Sequence, residues 1–386
     1  MALDEQSKIL LEQIKSLNVP PVNTVPPEKS RELFEARPRL EGPKLPEVRD
    51  IIINTEGIDI ACRLYLPSTD NKLPILVWFH GGGWVIGSVD GSDGVTRYLA
   101  DKSGYAVLSV DYRLSPEVKF PGPLNDCYGV TKWVYENSDE LNVDKNKISV
   151  GGDSAGGNLA SAVCLKAKDE GDLPILSQLL IYPCVDSDFN RKSFLENKDD
   201  YLLTATAMQW FWKQYINSES ELNNHYVCPL KYSDHSNLPQ ACIIVAEHDP
   251  LLDEGIDYHK KLINSKVNSQ LIEYSGVMHG FYSQIGVLDK ADDALNASAK
   301  FLKTVRYETT VTDSGLVINA LDQDDNLLTI LNFGFDGQSF DMQNFNTDGE
   351  ETSSLGLQCE NSGSACINTL KGKSVLSTPS AETQML

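Results

Sequence analysis

Basic charge is scarce in this 386-residue sequence: 33 Lys and Arg stand against 55 Asp and Glu, a formal net charge of −22. Nucleic acid and anionic membrane surfaces are bound through clustered cations that release counterions, and no such Lys/Arg cluster occurs. Nucleic acid is therefore excluded as a partner. Long apolar runs are also missing; none approaches the roughly 18 residues that a membrane-crossing helix requires, so no integral membrane segment is expected. The opening residues, MALDEQSKILLEQIKSL, carry acids where a signal peptide carries bases. Cys62, Cys127, Cys164, Cys184, Cys228, Cys242, Cys359 and Cys366 include no C-x-x-C pair and no zinc-like spacing with His. We read them as reduced thiols of a cytoplasmic protein without a metal. What is present is ordinary globular material, 41% hydrophobic and 23% charged, enough for one large α/β domain or two smaller ones.

Composition changes near residue 307. From there to Leu386 the chain holds 12 acidic and two basic residues, Lys371 and Lys373, and is rich in Asn, Ser, Thr, Gly and Asp. A largely disordered tail over 307–386 is expected, with a short hairpin or helix around 320–331. Before it, strand-like runs alternate with helical patterns. Val48 to Asn54 and Ile58 to Leu66 read as an antiparallel hairpin across Gly57. The continuous apolar runs at 73–79, 105–110, 148–151, 176–182, 241–246 and 270–274 suit a parallel sheet covered on both faces. Helical patterns at 95–102, 124–135, 154–168, 255–264 and 289–303 alternate with them, which defines an α/β fold. Two segments fall outside the alternation and can form a cap: residues 1–45, two helices around a Pro-rich turn, and an insert at about 186–226. The insert carries Met208, Trp210, Phe211, Trp212 and Tyr215, read either as helix-to-domain packing or as the lining of a substrate pocket.

The chemistry centres on Gly152-Asp-Ser-Ala-Gly156, placed where a strand passes into a helix. Small residues flanking Ser154 permit the sharp turn that exposes a nucleophilic hydroxyl at a helix N-terminus. A serine nucleophile needs donors aimed at the developing oxyanion, and His80-Gly-Gly-Gly-Trp84 follows the first long parallel strand. Gly82, Gly83 and the N–H of Ala155 are the candidate donors, with Gly81 as a further one. A phosphate cradle is disfavoured, since neither G-x-G-x-x-G nor a following Lys-Ser/Thr is present. The base should follow the acid in the chain, and among six histidines His279 fits this order. His248 reads as a surface residue beside the acid. Asp249, Asp253 and Glu254 compete for the acid; Asp249 sits at the strand end and is chosen, with Asp253 as a supporting group. Trp84 and Asp153 join Met208, Trp210 and Phe211 as candidate substrate contacts.

His80-Gly-Gly-Gly-Trp84, Asp111-Tyr-Arg-Leu-Ser-Pro-Glu117, Gly152-Asp-Ser-Ala-Gly-Gly157, Asp249-Pro-Leu-Leu-Asp-Glu-Gly255 and His279-Gly-Phe281 occur in this order. Through them the chain, over residues 1–306, resembles the hormone-sensitive-lipase-like carboxylesterases with a G-D-S-A-G-G elbow. The resemblance implies an α/β-hydrolase fold, with a mostly parallel eight-stranded sheet, helices on both faces and a helical cap from residues 1–45 and 186–226. It also implies a catalytic domain over 46–306 that hydrolyses short- to medium-chain carboxylic esters without a cofactor. The tail inherits nothing from it. Amide or formamide hydrolysis on the same triad, a non-catalytic small-molecule receptor and a long-chain lipase are the rival readings. A homodimer is left open.

Overall fold

The computed structural model describes residues 2–199 and 201–303, and beyond them the strands between 306 and 377. The chain divides into two compact units, Met1–Leu302 and Lys303–Leu386.

The first unit is built on strands β1 Glu47–Thr55, β2 Ile58–Leu66, β3 Leu73–Phe79, β4 Ala106–Val110, β5 Val143–Asp153, β6 Ser177–Ile181, β7 Gln240–His248 and β8 Ser269–Met278. They form one sheet in the order β1-β2-β4-β3-β5-β6-β7-β8. β1 and β2 make the expected antiparallel hairpin, β2 pairs antiparallel with β4, and every later pairing is parallel. The continuous apolar runs have a simple cause. Ile75, Val77 and Phe79 enter the core on one face, while Leu76 and Trp78 enter the core on the other, so neither alternate position can be polar. Helices α4 Gly122–Glu136, α5 Ala155–Glu170 and α8 Leu252–Asn264 supply the first core with Leu124, Leu159 and Leu262. Helices α3 Val89–Ser103 and α9 Asp289–Leu302 supply the second with Leu99 and Leu295.

Helices α1 Glu5–Ser16 and α2 Pro27–Glu35 have different destinations. α1 belongs to the body: Leu10 and Leu11 join the second core, the Asp4 N–H donates to the Gly276 carbonyl at 2.9 Å, and Lys290 pairs with Asp4 at 2.8 Å. Its buried stripe packs there, while Ile9 and Leu17 stay exposed. α2 lies over the loops that follow β3 and β4. Arg31 donates to the carbonyls of Val85 at 2.7 Å and Ser115 at 2.8 Å, and pairs with Glu117. The insert holds α6 Lys192–Glu196 and α7 Ala205–Tyr215, and α7 packs against the short turn Val22–Thr24.

In the second unit, where the sequence predicts disorder, strands β9 Arg306–Thr312, β10 Gly315–Leu321, β11 Leu327–Gly334, β12 Ser339–Phe345, β13 Glu351–Cys359, β14 Cys366–Leu370 and β15 Lys373–Ser377 pair antiparallel in chain order. The hairpin around 320–331 is there, with Ala320 opposite Thr329. Average composition hides this pattern: Asp, Gly and Asn collect in the connecting segments, as in DQDDN, while Leu, Ile, Val and Thr collect in GLVINAL and LLTILNFG. The last part of the predicted tail, 378–386, lies outside the described residues.

Candidate active site

β5 ends at Asp153 and α5 starts at Ala155, leaving Ser154 alone in the turn with φ 55° and ψ −116°. A side chain at positive φ is strained, and such strain collects at functional sites. The surroundings enforce it. A Cβ on Gly152 would lie 2.4 Å from the Phe79 carbonyl oxygen and one on Gly156 only 1.9 Å from it, so the turn closes only with glycine two places either side of Ser154. The Ser154 N–H donates to Ile181 at 2.8 Å and its carbonyl accepts from Asn158 at 3.0 Å, which fixes the backbone. Its hydroxyl caps nothing in α5.

That hydroxyl lies 3.0 Å from Nε2 of His279, whose Nδ1 lies 2.6 Å from Oδ2 of Asp249. The three residues come from the carboxyl ends of β5, β7 and β8, where open α/β sheets gather their sites. Asp249 is fully buried, and its other oxygen accepts the Leu251 N–H at 2.8 Å. A buried carboxylate held on both oxygens fixes the imidazole with Nδ1 protonated and leaves the Nε2 lone pair to the serine. Tyr182 packs its ring on His279 at 4.4 Å between centroids, from the end of β6, with φ 34°. Sequence reasoning missed it, although its place at the end of a parallel strand was the available signal.

The competing acids have other tasks. Asp253 accepts the Ser193 N–H at 2.8 Å, while Ser193 Oγ donates to the Pro250 carbonyl at 2.7 Å; the acid loop is thereby tied to α6. Glu254 is wholly buried and accepts the N–H groups of Val185 and Asp186 at 2.7 and 3.2 Å. Burial pushes its pKa well up, against those two bonds, which lower it. His248, expected at the surface, is buried with its ring 5.1 Å from that of Tyr201. It is the last residue of β7, an internal strand, and only 6% of it is exposed.

The glycine loop is braced from below. His80 stacks on Tyr112 at 4.4 Å, and the Tyr112 hydroxyl donates to the His80 carbonyl at 2.8 Å. The Ser115 N–H donates to the Trp84 carbonyl at 2.8 Å, and Arg113 makes a two-pronged bond to buried Asp126 at 2.6 and 2.9 Å. The Asp-Tyr-Arg-Leu-Ser-Pro-Glu segment is therefore a bracket for the loop. Among the four candidate donors, Gly81 is already committed: its N–H donates to Asp153 Oδ1 at 2.9 Å. This removes Gly81 from the donor set. Asp153 is likewise engaged with the loop, and desolvation, the largest effect, raises its pKa while the Gly81 N–H lowers it.

The predicted substrate contacts divide. Trp84 is fully buried, stacked on Tyr215 and tilted against Trp212, so it is a strut between glycine loop and cap rather than a surface for substrate. Its φ is 62°, a strained value for a side chain of this size. Phe211 and Met208 are buried on α7, and the Phe211 ring rests where a Cβ on Gly83 would stand, 2.2 Å from Cδ1. Trp210 is half-buried, edge-on to Phe211 at 5.2 Å.

A strained serine at a strand-to-helix elbow, relayed through histidine to a buried carboxylate beside a glycine loop, defines a serine hydrolase of the α/β-hydrolase class. Comparison with known proteins agrees. Residues 76–283 match the family described as alpha/beta hydrolase fold. An arylesterase of Saccharolobus solfataricus is 38% identical over 236 residues, 61% of this chain and 77% of that one. The carboxylesterase NlhH of Mycobacterium tuberculosis is 36% identical over 267 residues, 67% and 83% of the two chains. A hyperthermophilic esterase of Pyrobaculum calidifontis superposes with a TM-score of 0.73 at 38% identity, over 78% of this chain and 98% of that one. An ester-hydrolase from the Lake Arreo metagenome, solved with a bipyridine phosphonate derivative, gives 0.74 at 32% identity, over 78% and 98%. The chain belongs to the α/β-hydrolase-fold family, in its hormone-sensitive-lipase-like branch. No helix among the described residues is long and apolar enough to cross a membrane.

Proposed function

We infer that this carboxylic ester hydrolase works through Ser154 as nucleophile, His279 as general base and Asp249 as the orienting acid. The Ser154–His279–Asp249 relay carries the reading, with contacts of 3.0 and 2.6 Å from three separate strands. Ser154 Oγ attacks the ester carbonyl while its proton passes to His279 Nε2. The oxyanion is met by the N–H groups of Gly82, Gly83 and Ala155. His279 returns the proton to the departing alkoxide, leaving an acyl-serine, and water then repeats the cycle to release the acid. Asp249 stabilises the imidazolium formed in each half.

The substrates are short- to medium-chain esters, with Phe211 packed on Gly83 at one side of the glycine loop and limiting acyl length. A cytoplasmic location is supported by Cys62, Cys127, Cys164, Cys184, Cys228 and Cys242, all buried and unpaired. The experiment is hydrolysis of p-nitrophenyl esters of rising acyl length, beside the matching p-nitroanilides, by the wild type and Ser154→Ala. Ester turnover that peaks at short acyl chains and disappears in Ser154→Ala supports the reading. Preferred anilide cleavage would replace it with an amidase, and absence of all turnover in folded protein with a receptor. Sedimentation of the same samples decides the homodimer.

A further inference from the structure

Asp153 stands between the two halves of the site. It is the last residue of β5, immediately before Ser154, yet its carboxyl is turned to the glycine loop: Oδ1 accepts the Gly81 N–H at 2.9 Å. Oδ2 occupies the position where a side chain on Gly81 would begin, since a Cβ there would lie 2.2 Å from it. No ion pair among the described residues takes this half-buried carboxyl; burial raises its pKa, while the Gly81 N–H and the nearby rings of His80 and His279 lower it. Its burial cost is offset in part by the bond from the Gly81 N–H. The role of the bond follows from where it runs. Gly81 precedes Gly82 and Gly83, and Gly82 has a φ of 120°, a conformation open to glycine. At the loop's far end Gly82 accepts the N–H groups of Val85 and Ile86 at 3.1 and 3.0 Å. At its near end the side-chain anchor is Asp153.

We propose that Asp153 is a positioning residue for ester hydrolysis: its carboxyl ties the glycine loop to the nucleophile turn, so that the Gly82 and Gly83 N–H groups and Ser154 keep one fixed separation. The proposal rests on the esterase reading above. It differs from a substrate contact because the carboxyl is already used within the protein. Nucleophile and oxyanion donors must face the same carbonyl group, and a misplacement of about 1 Å at such a site costs on the order of a hundredfold in rate. Asparagine at 153 keeps an oxygen that accepts from Gly81; alanine does not.

The test measures kcat and KM on p-nitrophenyl butyrate for the wild type, Asp153→Ala, Asp153→Asn, Gly81→Ala and the double variant Gly81→Ala/Asp153→Ala, with thermal melting as the control for folding. Asp153→Ala is expected to lose about 10- to 100-fold in kcat with KM within about threefold of the wild type. Asp153→Asn is expected to recover at least about tenfold of that loss. In the double variant the new methyl enters the space the carboxyl left, so its activity should be no lower than that of Gly81→Ala. Should Asp153→Ala not fold, Asp153→Ser takes its place, its hydroxyl being too short to keep the bond. Asp153→Ala with a kcat within about threefold of the wild type overturns the proposal, as does Asp153→Asn as slow as Asp153→Ala. A folded wild type without ester turnover overturns the esterase reading instead, so the two failures are distinct.

Discussion

Trp84 and Tyr215 stack face to face, 4.3 Å between ring centroids and 5° between planes, joining the loop that follows β3 to the last turn of α7. The carbonyl of Trp84 is held by Ser115 from below and its ring by the cap from above, so the oxyanion donors are clamped between body and cap. Truncation of so large a buried ring leaves a cavity, and Trp84→Ala should destabilise the protein by about 3–5 kcal/mol. The hydroxyl of Tyr215 is buried without a partner among the described residues. Tyr215→Phe keeps the stack and removes that hydroxyl, so it should be as stable as the wild type or more stable. Urea unfolding of both variants checks the pair; a Tyr215→Phe less stable by more than about 1 kcal/mol would show that the hydroxyl has a partner.

Asp249 acts on the tautomer and orientation of His279. Asp249→Asn should lower kcat by about 10⁴-fold with little change in KM, because an amide favours the wrong tautomer. Steady-state kinetics of the wild type and Asp249→Asn check it; a variant within about tenfold of the wild-type kcat would remove Asp249 from the role.

The Gly156 turn tolerates no side chain, since a Cβ there would lie 1.9 Å from the Phe79 carbonyl oxygen. Gly156→Ala should cost about 1–3 kcal/mol of stability through forced backbone movement. It should also lower kcat by at least about tenfold, because the shift displaces Ser154 and Ala155 together. Melting and steady-state kinetics together check it; full activity at unchanged stability would contradict the geometry.

Much of this was legible in the sequence, and the misses share one cause. The hairpin, the parallel strands and the order of serine, acid and base follow from apolar runs and turn residues, which are local signals. Trp84 looked like a pocket wall because its stacking on Tyr215, 131 positions later in the chain, leaves no local trace. His248 reads as a surface residue for the same reason: its burial depends on neighbouring strands. Gly81 reads as a further donor beside Gly82 and Gly83, because the Asp153 carboxyl that occupies its N–H lies 72 positions away. In the tail, averaged composition concealed an alternation of turn-rich and strand-rich segments.

Glu254 gives a prediction for stability against pH. Its folded-state pKa is raised by burial above the unfolded value of about 4.3. The folded state therefore holds the proton more tightly, and this contribution is fully present below about pH 4.3 and is lost as pH rises through the folded value. Glu254→Gln keeps an oxygen for the Val185 and Asp186 N–H groups and cannot ionise. Its melting temperature relative to the wild type should climb as pH increases above that point. A difference constant with pH would mean that Glu254 does not titrate on unfolding.

Covalent capture of the nucleophile tests the central claim most directly. The protein would be incubated with a p-nitrophenyl phosphonate ester, its intact mass measured against residual ester hydrolysis, and the modified peptide mapped. One adduct per chain, on Ser154, with activity lost in proportion and no adduct in Ser154→Ala, is the predicted result. Full activity in completely labelled protein, or an adduct on another residue that abolishes turnover, would contradict it.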